Sequence, residues 1–93
     1  MYTIDKTTAF LKDLARAKKR GLDLEKLQRI IGILTLGQKL PSNCRDHALK
    51  GDMQGKRECH ISPDWLLVYE RNDEKLVLLL VRTGTHRELK LGK

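Results

Sequence analysis

Aromatic side chains are nearly missing from this chain, which has one Phe, one Trp and two Tyr in 93 residues. A sheet that recognises RNA by stacking bases on exposed aromatics has little to be built from here. Cysteine is as scarce, with only Cys44 and Cys59. One possible bridge is too little for a secreted scaffold that replaces a core with disulfides, so both are expected as reduced thiols. The longest apolar run, residues 76–81, falls far short of the roughly 20 residues that span a bilayer. The first residues also lack the basic-then-apolar pattern of a secretory signal, and the expectation is a cytoplasmic protein. "KGDMQGK" and "RTGTH" contain glycines without the spacing of a phosphate loop, which leaves nucleoside triphosphate chemistry without a motif. Repeats, low-complexity tracts and linkers are absent too, and a chain of this length has material for one modest core, hence one domain.

Basic charge is abundant. Nineteen Lys and Arg against 12 Asp and Glu give a net +7 and a pI near 9.7, a balance that favours a polyanionic partner through phosphate contacts and counterion release. Hydrophobic period then divides the chain. "MYTIDK" alternates as a short strand; from Thr7, with Asp5 or Thr7 as cap, Phe10, Leu11, Leu14 and Ala17 recur at helical spacing until Gly21. Asp23 caps a second stripe of Leu24, Leu27, Ile30, Ile31 and Leu34 that ends by Gly37 and Pro41, so two helices form a hairpin. Beyond the loop 41–43, "KRECHI" alternates, with Arg57, Cys59 and Ile61 on one side and Lys56, Glu58 and His60 on the other. Ser62, Pro63 and Asp64 make a turn, and residues 65–69 and 75–81 read as strands joined by a tight hairpin at Asn72-Asp73. Their continuous apolar character belongs in mid-sheet. The fold class is α+β, an N-terminal helical hairpin packed on a mainly antiparallel twisted sheet.

His47, His60 and His86 are the three histidines, each near a strand end, where side chains from different segments can converge. Convergence would suit RNA cleavage. A base takes the 2′-hydroxyl proton, a cation steadies the phosphorane and an acid protonates the leaving 5′-oxygen. Imidazole serves either proton role because its unperturbed pKa of about 6.5 populates both forms near neutrality. Asp64 could orient an imidazole, and Arg57 or Arg82 could hold phosphate bidentately. Taken singly, each residue has a plainer use: a solvated histidine, a turn aspartate, a core tryptophan at Trp65. Cys44, His47, Cys59 and His60 supply zinc-type ligands at poor spacing, because neighbours on a strand point to opposite faces. The same geometry opposes a Cys59–His60 catalytic pair, and Cys59 is expected in the core.

"DHALKG", "RECHISPDWLLVY" and "RTGTH", following two helices, resemble the YafQ branch of the RelE/ParE superfamily of bacterial toxins. The resemblance covers nearly the whole chain, and residues 60–65 together with the Thr-Gly-Thr-His stretch are its most specific part. It implies a RelE-like domain over residues 1–93 whose concave sheet face is a ribosome-dependent mRNA endonuclease, working without cofactor or metal as the toxin of a type II toxin–antitoxin pair. The family's functional positions fall on His47, His60, Asp64 and His86. Here His86 is the expected acid, His47 and His60 share base and phosphate-stabilising roles, and Asp64 orients an imidazole. Arg82 matches a phosphate-contacting position; Trp65 and Glu58 match supporting ones, Glu58 standing in place of an aspartate. Arg57 and Lys56 complete the expected RNA-binding set. Lys90, between Leu89 and Leu91, takes the place of a frequent C-terminal aromatic. The implied partners are a cognate antitoxin, commonly in a heterotetramer, the ribosome and mRNA, with DNA reached only through the antitoxin. A second reading is a non-catalytic RNA- or ribosome-binding, or gyrase-inhibiting, toxin of the same superfamily, which needs the basic surface but not the histidines.

Overall fold

Thr7 marks the change from a period of two to a period of 3.6, and it does so through its hydroxyl. In the computed structural model, which describes residues 1–90, strand β1 (Thr3–Lys6) stops there and helix α1 (Thr8–Lys19) begins. The Thr7 oxygen accepts from the Phe10 N–H at 2.9 Å and donates to the Val81 carbonyl at 2.7 Å, so one cap both starts the helix and pins it to the sheet. Asp23 caps α2 (Leu24–Thr35) in the same way through the Glu25 N–H. α1 ends on Arg16, Lys18 and Lys19, cations that suit the negative end of the helix dipole.

The sheet has the order β1-β5-β4-β3-β2, with β2 (His47–Ala48), β3 (Arg57–Ser62), β4 (Trp65–Asn72) and β5 (Val77–Gly84). β1 runs parallel to β5 and every other pair is antiparallel. β4 is central, and Trp65, Leu66, Leu67, Val68 and Tyr69 are all buried, as a run apolar on both faces requires. Trp65, Leu67 and Tyr69 join Phe10, Leu27, Leu34, Leu78 and Leu80 beneath the two helices. On the opposite face Leu66 and Val68 pack with Val81, Leu49, Met53 and Leu89, the last from a short helix α3 (His86–Leu89). α1 lies mainly against β5 and α2 against β3, so the helical hairpin straddles one face and leaves the other open.

The β4–β5 connection departs from the expected tight hairpin. Asn72 Oδ1 accepts from the Glu74 and Lys75 N–H groups at 3.0 and 2.9 Å, and Leu76 takes a left-handed φ of 54°. A four-residue turn, 73–76, results, and β5 starts at Val77 and not at Lys75. At its other end β5 runs on past residue 81, because Thr83 and Gly84 pair with Leu67 and Leu66. Register shifts interrupt the ladder between His60 and Ser62 on β3 and opposite Val68–Tyr69 on β5. Such bulges bend a strand and re-aim the residues beside them.

Candidate active site

Pairing across the ladder assigns each site residue to a face. His47 pairs with Glu58, Glu58 with Val68 and Val68 with Arg82; one rung further, His60 pairs with Leu66 and Leu66 with Gly84. Paired residues share a face, and Leu66 and Val68 lie on the side away from α1 and α2. His47 and His60 are therefore diagonal neighbours on the open face, a relation that separates Cα atoms by about 7–8 Å. The bulge falls immediately after His60.

His86 reaches the same place from the far strand. β5 ends at Gly84, where a Cβ would stand 2.9 Å from Glu88 Oε1 and 3.3 Å from Leu89 Cδ2. Glycine there lets α3 fold back over the strand end. Thr85 caps α3 in a reciprocal box: its hydroxyl accepts from the Glu88 N–H at 3.1 Å and its own N–H donates to Glu88 Oε1 at 2.9 Å. The other Glu88 oxygen takes Arg20 at 2.9 Å and Arg16 at 3.3 Å, so the C-terminal turn of α1 clamps α3. The Thr85 N–H first, with burial opposing and the Arg16 and Arg20 guanidinium groups assisting, holds the Glu88 carboxyl below its ordinary range. His86 thus begins a helix anchored at both ends.

Asp64, in the β3–β4 turn, accepts from the His86 backbone N–H at 3.0 Å and lies 2.7 Å from His86 Nδ1. Those contacts, the backbone one foremost, hold the Asp64 carboxyl below the usual aspartate range. A carboxylate at Nδ1 fixes that nitrogen as the proton donor and turns Nε2 outward. The His60 ring meets His86 edge-on, with centroids 5.4 Å apart and planes inclined at 62°.

His47 is held differently. Its Nδ1 is 2.6 Å from the Arg45 carbonyl and its Nε2 is 3.2 Å from Glu58 Oε1. Both oxygens only accept, so both contacts are hydrogen bonds together when the ring carries two protons. Arg45 presents its carbonyl from a left-handed conformation, φ 51°. Glu58 is 5% exposed, and its Oε2 is buried without a hydrogen-bond partner among the described residues. A buried carboxylate so placed is costly unless a cation stands beside it.

The remaining sequence-derived candidates do not join this cluster. Trp65 is a core residue, and its indole N–H donates to Thr83 Oγ1 at 2.9 Å, leaving no ring face for a base. Arg57 pairs with Tyr69 and so stands on the helix-bearing face, where its Nε meets Asp46 Oδ1 at 3.2 Å. Alternation along β3 puts it across the sheet from His60, which corrects its assignment as a phosphate contact there. Lys56 shares the His60 side but lies four residues away and pairs with Glu70 at 3.6 Å. Arg82 stands on the open face by register, yet its Nε and Nη2 donate to the two oxygens of buried Asp13 at 2.6 and 3.1 Å. It ties β5 to α1 through these bonds. Lys90 is the exposed C-cap of α3 with Leu89 buried before it, while Leu91 lies outside the described residues. Cys59 is fully buried and burial pushes its thiol up, which keeps it protonated and unreactive.

Arg45 and Glu88 were not singled out from the sequence. Thr85-x-x-Glu88 is a readable capping box, so α3 had a signal. Arg45 had none, since a left-handed arginine lending its carbonyl to a neighbour leaves no trace in residue type.

The fold and site are those of a small α+β domain, with a helical hairpin on one face of a five-stranded sheet and imidazoles beside a carboxylate on the other. The family model described as "Bacterial toxin of type II toxin-antitoxin system, YafQ" matches residues 2–91, and the chain belongs to the YafQ toxin family. It is 37% identical over 87 residues to the mRNA interferase toxin YafQ of Escherichia coli K12, covering 92% of each chain. Among solved structures it resembles a metal-bound toxin from Helicobacter pylori, at 44% identity and a TM-score of 0.90 over 96% of this chain and 99% of that one. It also resembles the E. coli DinJ–YafQ toxin–antitoxin complex, at 36% identity and a TM-score of 0.87 over 98% of both chains. Among the described residues no group of three or more His, Cys, Asp or Glu side chains is placed to hold a metal ion.

Proposed function

We propose that the chain, as a single toxin domain, is an mRNA endonuclease that cuts by general acid–base transfer between histidines on the open sheet face. The contact of His60 with an His86 ring held by Asp64 carries the reading. Two adjacent imidazoles in unequal surroundings divide the proton work. Asp64 at Nδ1 leaves the Nε2 of His86 facing outward, which suits His86 to protonate the departing 5′-oxygen through that nitrogen. His60, without a carboxylate of its own, takes the 2′-hydroxyl proton. The 2′-oxygen then bonds to phosphorus as the P–O5′ bond breaks, giving a 2′,3′-cyclic phosphate and a 5′-hydroxyl. His47, whose ring donates to both Glu58 and the Arg45 carbonyl when it carries two protons, steadies the charge that builds on the phosphorane. The net charge of +7 supports approach to ribosomal and messenger RNA. The relatives named mRNA interferase toxin YafQ support cleavage of mRNA, and the DinJ–YafQ complex supports a cognate antitoxin that masks the basic surface.

Expression followed by primer extension on cellular mRNA tests the reading. Codon-registered breaks are expected from the wild-type chain, falling about 10²–10⁴-fold in His60→Ala and His86→Ala while antitoxin binding persists. Intact transcripts with the wild-type chain, or undiminished cutting by both variants, would remove it.

A further inference from the structure

β2 pairs with β3 only at Arg57 and Glu58, so beyond Glu58 the outer edge of β3 has no strand partner among the described residues. The chain turns away there through left-handed Arg45, and the 3-10 turn Ser42–Cys44 packs against β3 instead. Between that turn, α2 and the end of β3 lies an open cleft of about 590 Å³, lined chiefly by Lys26, Asn43, Arg45, His60, Ser62 and Pro63. Its size falls within the roughly 300–1,000 Å³ of small-ligand sites. Two cations line it and no carboxylate does. The β3 bulge directs the strand along its wall immediately after His60.

We propose that this cleft seats one nucleotide of the cleaved strand, next to the scissile phosphate, and reads its base. The inference rests on the nuclease reading above. Three observations carry it. His60 belongs both to the histidine cluster and to the cleft wall, so a strand whose phosphate lies among the imidazoles has its adjoining residue at the cleft mouth. Lys26 and Arg45 supply charge for that residue's phosphate. Asn43, whose only described side-chain contact is the Cys44 thiol at 4.0 Å, offers an amide that both donates and accepts. That is the pattern that discriminates base edges in single-stranded RNA, while Pro63 and Ile61 provide apolar surface for the ring.

Purified ribosomes programmed with mRNAs randomised around the A-site codon, cut by the wild-type chain and by Asn43→Ala and Asn43→Ser, provide the test. Mapped ends should show a base preference at one position adjoining the cut, flattened at least about fivefold in both variants, with preferences elsewhere kept. Lys26→Ala should raise KM several-fold with kcat retained. A wild-type preference surviving intact in both Asn43 variants overturns the inference, even if ribosome binding weakens. A wild-type cut with no base preference beside it overturns it as well. Failure of the wild-type chain to cut at all removes instead the nuclease reading on which it rests.

Discussion

Asp64 does two things with one oxygen: it accepts from the backbone that starts α3 and from the ring that α3 carries. Because the folded-state carboxyl titrates below its ordinary value of 3.8, the stabilisation from these bonds is present above that value. It is lost as the pH falls through the lowered one. The carboxylate is thus ionised across the neutral range. Asp64→Asn should lower the plateau of the pH–rate profile by about tenfold or more, a share of the roughly 10²–10⁴-fold that a positioned acid–base group contributes. A limb that vanished with Asp64 would make it a proton donor or acceptor in the reaction itself. Residue type made the three histidines and Asp64 visible in the sequence, since few other side chains move protons near neutral pH. Their partners were less visible. Glu58 was read as a supporting residue, but its rung opposite His47 depends on β2, and two residues are too few to leave a period. Arg82 shows the converse, because a basic residue at a strand end reads as a phosphate ligand until a carboxylate 69 positions away claims it.

Helix α1 braces β5 from its middle and α3 from its C-terminal end. α1 anchors through Asp13, which is 3% exposed and binds Arg82 and the Thr83 N–H, and through Arg16 and Arg20, which grip Glu88 of α3. A four-residue helix has no stability of its own, so α3 exists through its capping box, these clamps and the burial of Leu89. Breaking a buried ion pair costs roughly 3–5 kcal/mol, and with Arg82 a third exposed the lower end applies. Asp13→Ala should therefore lower the urea-unfolding free energy by about 3 kcal/mol, read from the midpoint at constant m-value. A change within about 0.5 kcal/mol would make the pair incidental. α1 and α2 were legible because each has a cap residue, a 3.6 period and a glycine stop. The extension of β5 was not, because Thr83 and Gly84 carry no apolar alternation and join the strand through pairing with β4.

One face of the molecule is covered by helices and the other carries His47 and His60, a division that follows from the central β4 being apolar on both sides. No helix among the described residues is long and apolar enough to cross a membrane. The surplus of cations fits a surface that meets RNA when free and an antitoxin when masked. In the proposed reaction two imidazoles on the open face pass protons to and from a single phosphodiester, with the RNA's own 2′-oxygen as nucleophile. End-group analysis of a ribosome-bound mRNA, beside the same message carrying one 2′-deoxynucleotide at the scissile position, measures this directly. The account predicts a 2′,3′-cyclic phosphate and a 5′-hydroxyl from the first and no cut in the second; a 3′-hydroxyl with a 5′-phosphate, or cleavage at the deoxynucleotide, would contradict it.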